Sequence, residues 1–261
     1  MKQINFKKII TLLLLLVLIL NFSSIIYQVV IHSQGSSNTP VVALDPLVEE
    51  LMNEEFTSQE NETQDTGQKN QVQILKHQYN NEDIKGILSI ANENFRYPVA
   101  QTTNNEFYLT HDYYKNSASL GAIYADYRTD LDQIDRNKKV LIFGHSSSKT
   151  NTPFNELEKY YDKDYYQTHK YITLETNTNT YQYEIFSVYV ETSDFTYMNV
   201  NFEDQEEWYF HLLNLQKKSM YSTNVILDAS DDILIMQTCS KHSKYKDYSK
   251  KYLLIVSRRV K

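Results

Sequence analysis

Cys239 is the only thiol in 261 residues, and it stands where the apolar run DILIM gives way to polar residues. A thiolate is a strong nucleophile, and it forms readily only beside a base or a cation. Histidine is the usual base, and the chain has seven. His32, His77, His111, His169 and His211 read as surface or boundary residues, and His242 lies in the polar loop KHSKYKD. His145 differs, because it ends the strand-like run KVLIFGH and is followed by the polar SSSKTN. Two strands ending in His145 and Cys239 at one rim would make a nucleophile–base pair. The competing reading is a buried cysteine serving as a small apolar side chain.

The elements that would carry this pair are mostly strands. Residues 86–90, 121–127, 139–145, 171–176, 181–192, 232–239 and 252–259 are β-branched, aromatic or apolar runs of strand length. TNTNT between two of them signals a hairpin turn. Two helices are expected. One starts at Thr152-Pro153 with FNELEKYY. The other spans roughly 202–218, with acids near its start, lysines at its end, and Trp208, Leu212 and Leu215 on its buried face. Many strands with few helices point to a mainly β fold, a closed or nearly closed barrel.

The N-terminus has a different character. Residues 1–8 carry three lysines and no acid, and residues 9–31 carry no charge. Twenty-three residues at about 1.5 Å each reach roughly 34 Å, enough to cross a hydrocarbon core of about 30 Å. Apolar character resumes after the leucine run without a small-x-small site, so an uncleaved anchor is expected over a signal peptide. The basic flank puts residues 1–8 in the cytoplasm and everything after His32 outside. Residues 32–70 form an acidic polar stalk, with a possible short helix at 45–56. Residues 71–261 make one domain. The chain carries −7 overall, +3 of it in residues 1–32 and −7 in residues 33–70, which leaves −3 for the domain. That near-balance excludes a nucleic-acid footprint. No metal-ligand cluster, phosphate loop or carboxylate pair stands out, and no cofactor is expected.

From residue 79 onward the sequence resembles the sortases, class B. NNEDIKGILSI resembles the class's opening NxDxxGWI strand, with Ile87 in place of tryptophan and Leu88 in place of isoleucine. YPVAQTTNNEFYLTHD is similar to YPVxQxxDNxxYL, and GAIYADYR to GSxFxDYR. LIFGHSSSKTNTPFNELEKYYD resembles the YGHN…MFxxLxxY block, and IMQTC the TLxTC motif. The long helix before the last strands is a further class B feature. The resemblance implies an eight-stranded barrel and a cysteine transpeptidase on the outer face of a Gram-positive-type membrane. Cys239 would attack a Thr–Gly type bond in the sorting signal of another exported protein and form a thioacyl-enzyme. A peptidoglycan-precursor or pilin amine would release the acyl group. His145 would be the acid–base partner, and Thr238 a substrate contact.

One position departs from the pattern. The family opens its last strand, RxVVVGRLV, with an arginine that stabilises the oxyanion, and YLLIVSRRV puts Tyr252 there. Arg258 could take the role only if that strand begins later. The departure supports a second reading, a degenerate sortase fold that binds sorting peptides or wall components without turnover.

Overall fold

The computed structural model describes residues 70–260. The tail at 1–8, the anchor at 9–31 and all but the last residue of the 32–70 stalk lie outside the described residues.

Eight strands close into a barrel in the order β1-β2-β3-β4-β7-β8-β6-β5. They are β1 (Ile84–Ile90), β2 (Arg96–Ala100), β3 (Tyr124–Ala125), β4 (Lys139–Phe143), β5 (Tyr171–Thr176), β6 (Thr180–Glu191), β7 (Ile233–Cys239) and β8 (Tyr252–Arg259). Closure leaves no unpaired sheet edge, which is how a strand-rich chain avoids edge-to-edge association. The β2–β3 and β4–β7 pairs are parallel and the others antiparallel.

Most strands read as continuous apolar runs because both faces are covered. Leu88, Val99, Ala125, Ile142, Leu174, Ile185, Met236 and Ile255, one from each strand, join one buried cluster that fills the lumen. Phe154, Leu157 and Tyr160 close it at one end. Residues of opposite parity, among them Leu141, Ile235 and Leu254, join a second cluster on the outer face. Two helices cover that face: α1 (Gln71–Tyr79), through Val72 and Leu75, and α3 (Gln205–Lys217), through Trp208, Leu212 and Leu215.

The expected helix at 202–218 is α3, and Asp204 caps it by accepting from the Glu207 amide. The helix expected from Thr152-Pro153 begins there but winds as a 3₁₀ helix over Pro153–Tyr161. The Thr152 hydroxyl does not cap it, because it donates to the His145 carbonyl at 2.7 Å. Asp162 then caps a separate short helix, α2 (Lys163–Thr168). The strand expected at 121–127 shrinks to Tyr124–Ala125, since Ala122 and Ile123 pack into the core without ladder pairing. Two elements escaped the periodicity. The apolar face of α1 is short within a polar sequence, and β2 carries Pro98, which lacks the N–H a strand donates. His211 is not a surface residue: it is buried on α3, where its Nε2 faces Lys139 Nζ at 2.8 Å.

Candidate active site

The parallel β4–β7 pairing and the antiparallel β7–β8 pairing fix the site. Phe143 lies opposite Gln237, so continuing the register sets Gly144 beside Thr238 and His145 beside Cys239. The Gly144 amide donates to the Gln237 carbonyl at 3.2 Å, which carries the ladder past the strand end. On the other side Cys239 is paired with Tyr252. Neighbouring strands lie about 4.8 Å apart, and side chains alternate between faces. His145, Cys239 and Tyr252 therefore form one row, on the face opposite the lumen.

Cys239 is exposed, so the buried-cysteine reading does not hold. Thr238, just before it, is buried and points to the lumen. Its hydroxyl donates to the Gly144 carbonyl at 2.8 Å. That bond commits the hydroxyl to the residue just before His145. Arg258 sits at the far end of β8, which does begin at Tyr252. There it pairs with Glu184 at 2.8 Å, away from the thiol.

His145 is oriented by the segment YPVAQTTNNEFYLTHD, through a backbone carbonyl. Its Nε2 lies 2.9 Å from the Leu109 carbonyl. A carbonyl only accepts, so Nε2 carries a hydrogen. Asn155, on the 3₁₀ helix, organises the SSSKTN loop after His145: its Oδ1 accepts from the Ser147 amide at 2.9 Å and from Lys241 Nζ at 3.1 Å. Lys241 follows Cys239 by two residues, so one side chain ties the histidine loop to the cysteine loop.

Gly144 permits a close approach. A Cβ there would stand 2.6 Å from a ring carbon of the buried Phe154. Gly144→Ala is expected to cost about 1–3 kcal/mol by overpacking. A denaturant melt showing no loss would mean that Phe154 moves aside freely.

The far side of the row is walled by the segment between β6 and α3. Glu191, opposite Tyr252 and buried, accepts from the amides of Thr192 and Ser193, each at 2.9 Å, and from Lys218 Nζ at 2.6 Å. Phe195 then meets the Tyr252 ring edge-on, with centroids 6.0 Å apart, and the Tyr197 hydroxyl donates to Gln237 at 2.7 Å. Nothing in residue type marked Glu191 or Tyr197 in advance, since their importance comes from register.

Burial pushes the Cys239 thiol above its ordinary range, and the Lys251 ammonium pulls it partly back. Cys239 is thus mostly thiol at neutral pH. Alkylation of Cys239 by iodoacetamide is expected to accelerate with rising pH through and beyond the ordinary thiol range. Lys251→Met should shift that profile upward and slow labelling at neutral pH. A profile unmoved by Lys251→Met would assign the counter-charge elsewhere.

A closed eight-stranded barrel with an exposed thiol at the end of one strand is an architecture of the sortase fold. The family described as Sortase domain matches residues 88–259. Sortase B of Listeria monocytogenes is 34% identical over 175 residues, covering 67% of this chain and 69% of that protein. Sortase B of Staphylococcus aureus is 28% identical over 199 residues, covering 72% and 80%. Among solved structures, the Staphylococcus aureus sortase B–substrate complex is similar with a TM-score of 0.67 at 26% identity, covering 82% of this chain and 94% of that one. Sortase B from Listeria monocytogenes gives 0.61 at 29%, covering 71% and 99%. The chain belongs to the sortase family, class B, and is a sortase-type cysteine transpeptidase.

Proposed function

We propose that Cys239 is the nucleophile, His145 the acid–base partner and Tyr252 an oxyanion donor in a transpeptidase acting on sorting signals of exported proteins. The observation that carries this reading is the register: Cys239 is paired with Tyr252, and Phe143, two residues before His145, is paired with Gln237, two residues before Cys239. As substrate approaches, His145 Nδ1 takes the thiol proton and the sulfur attacks the carbonyl of a Thr–Gly type bond. The tetrahedral oxyanion is met by the Tyr252 hydroxyl; the Ser240 amide, next after Cys239, is committed to the Lys251 carbonyl at 2.9 Å. The imidazolium returns the proton to the leaving amine, and a thioester remains. An acceptor amine, from a peptidoglycan precursor or a pilin lysine, then attacks the thioester. Its proton passes to His145 and back to the departing sulfur, so the enzyme is restored without a cofactor.

A specific observation favours a second reading, in which the site binds sorting peptides or wall components without turnover. Tyr252 has no permanent charge where the family pattern has an arginine. Incubating the 71–261 fragment with a library of sorting-type peptides and an amine acceptor, followed by mass spectrometry, separates the two. Amide-linked or hydrolysed products support the enzyme. Tight binding with no product over long incubation supports the binding module.

The proposed arrangement in the cell is a single-pass anchor at 9–31, the N-terminus cytoplasmic, and a catalytic domain held outside on the 32–70 stalk. Full-length protein should then partition with membranes, and external protease should cut within the stalk and release a folded domain. Mature protein recovered from medium without protease, starting near residue 30, would establish a cleaved signal peptide instead.

A further inference from the structure

At the opposite end of the barrel from Cys239 lies a cavity of about 650 Å³. Lys139, at the start of β4, lines it, and Lys139 is paired with Ile233. Cys239 is six residues further along β7, or about 20 Å at 3.3 Å per residue. The cavity is therefore not part of the thiol site, and its volume is that of a small-molecule pocket.

Its lining is cationic. Arg128, Arg136, Lys138 and Lys139 contribute to it, against one carboxylate, that of Asp204. Two of the cations are matched from outside the cavity: Arg128 is bidentate to Asp126, at 2.9 and 2.7 Å, and Lys138 lies 3.3 Å from Asp232. The Asp204 carboxylate is committed to capping α3. Arg136 is exposed and makes no hydrogen bond or ion pair among the described residues.

Lys139 is the telling group. It is 2% exposed, and all its partners are uncharged: the carbonyls of Tyr197, at 3.0 Å, and Asn199, and His211 Nε2 at 2.8 Å. The Phe202 ring lies 5.1 Å from its ammonium. Burial draws its pKa down to about 7; the Arg128 charge pushes the same way, and Asp126 opposes weakly. His211 is held neutral, down at about 3, by its own burial and by the Lys139 charge. A buried ammonium with no counter-charge is costly, and an anion in the adjoining cavity would relieve that cost.

We propose that this cavity is a binding site for an organic phosphate. Arg136 and Lys138 at the rim would make the direct contacts. Lys139 has its three N–H bonds already committed, so it acts through its field. Separate cationic donors together with the Gln205 carboxamide suit a tetrahedral oxyanion better than a flat carboxylate, whereas the Asn137 carboxamide is committed to the carbonyls of Asp130 and Gln133. Phe202, Val200 and Trp208 leave an apolar wall for the organic part, and a bare phosphate would not fill the volume.

The test uses the full chain in a neutral detergent, titrated calorimetrically with glycerol phosphate and with pyrophosphate at constant ionic strength. Phosphatidylglycerol and phosphatidylcholine vesicles form the lipid arm. Saturable binding is expected, weakened about tenfold for each charge removed in Arg136→Ala and Arg136→Ala/Lys138→Ala. Because an anion favours the charged lysine, binding near pH 8 should take up protons, read as a heat that varies with buffer ionisation enthalpy. Transpeptidation by both variants should match wild type, which also shows that they fold. Binding to phosphatidylglycerol vesicles alone, lost in the double variant, supports the site and identifies a lipid headgroup as the source. Heats equal to those of chloride in every arm, binding unchanged in the double variant, or binding without proton uptake would overturn the proposal.

Discussion

Cys239→Ala is expected to lower transpeptidation by about 10⁴-fold or more, to the level of the uncatalysed background. No other thiol exists in the chain to substitute for it. Cys239 is exposed at a strand end, so removing its sulfur should change stability by no more than about 0.5 kcal/mol, within the range of surface substitutions. His145→Ala should be of similar size. Its ring is held by the Leu109 carbonyl at the edge of the fold, not within either core cluster. Combining the two should cost little more than either alone, because nucleophile and base act as a unit. The measurements are product formation by mass spectrometry and thermal unfolding of the same preparations. Substantial residual turnover by Cys239→Ala would remove the thiol from the mechanism. An additive loss in the double variant would mean that His145 and Cys239 act independently.

The pair was legible because it rests on local signals. A polar residue ending an apolar run signals a strand terminus: Cys239 does end β7, while β4 stops at Phe143, two residues before His145. The barrel, the β5–β6 hairpin and α3 were legible for the same reason: strand-length runs, the TNTNT turn, and acids followed by lysines around an apolar stripe. The rest depends on register, which sequence spacing does not express. Alternation along β7 turns the Thr238 side chain to the lumen, which the residue type alone does not express. His211 read as a surface residue, since one polar side chain between Phe210 and Leu212 says nothing about a lysine 72 residues earlier. Glu191, Tyr197 and the Leu109 carbonyl join the site only because the barrel closes.

Register also decides what is expected of Tyr252. It lies directly across from Cys239, whereas Arg258 is paired at the far end of the strand with Ile233 and Glu184. Six residues separate the two, or about 20 Å, so a guanidinium at Arg258 cannot reach the scissile carbonyl. Removing an oxyanion donor typically costs about 10²- to 10³-fold in rate. A tyrosine hydroxyl donates one neutral hydrogen bond, whereas arginine offers a charged fork, so a site built on tyrosine should be slower than one built on arginine. Tyr252→Phe is therefore expected to lower kcat by about 10²-fold with little change in KM, and Tyr252→Arg to preserve or raise it. Phe195 packs on the phenol edge and tolerates phenylalanine, so the first variant should remain folded. Arg258→Ala should leave kcat within about twofold of wild type, since its ion-pair partners, Glu184 and the buried Asp231, are both distant from the thiol. The decisive pattern is the opposite one: loss of turnover in Arg258→Ala with none in Tyr252→Phe would show that β8 is read in the wrong register. Wild type that binds peptide but never turns it over, together with Tyr252→Arg that does, would identify a binding module one substitution away from an enzyme.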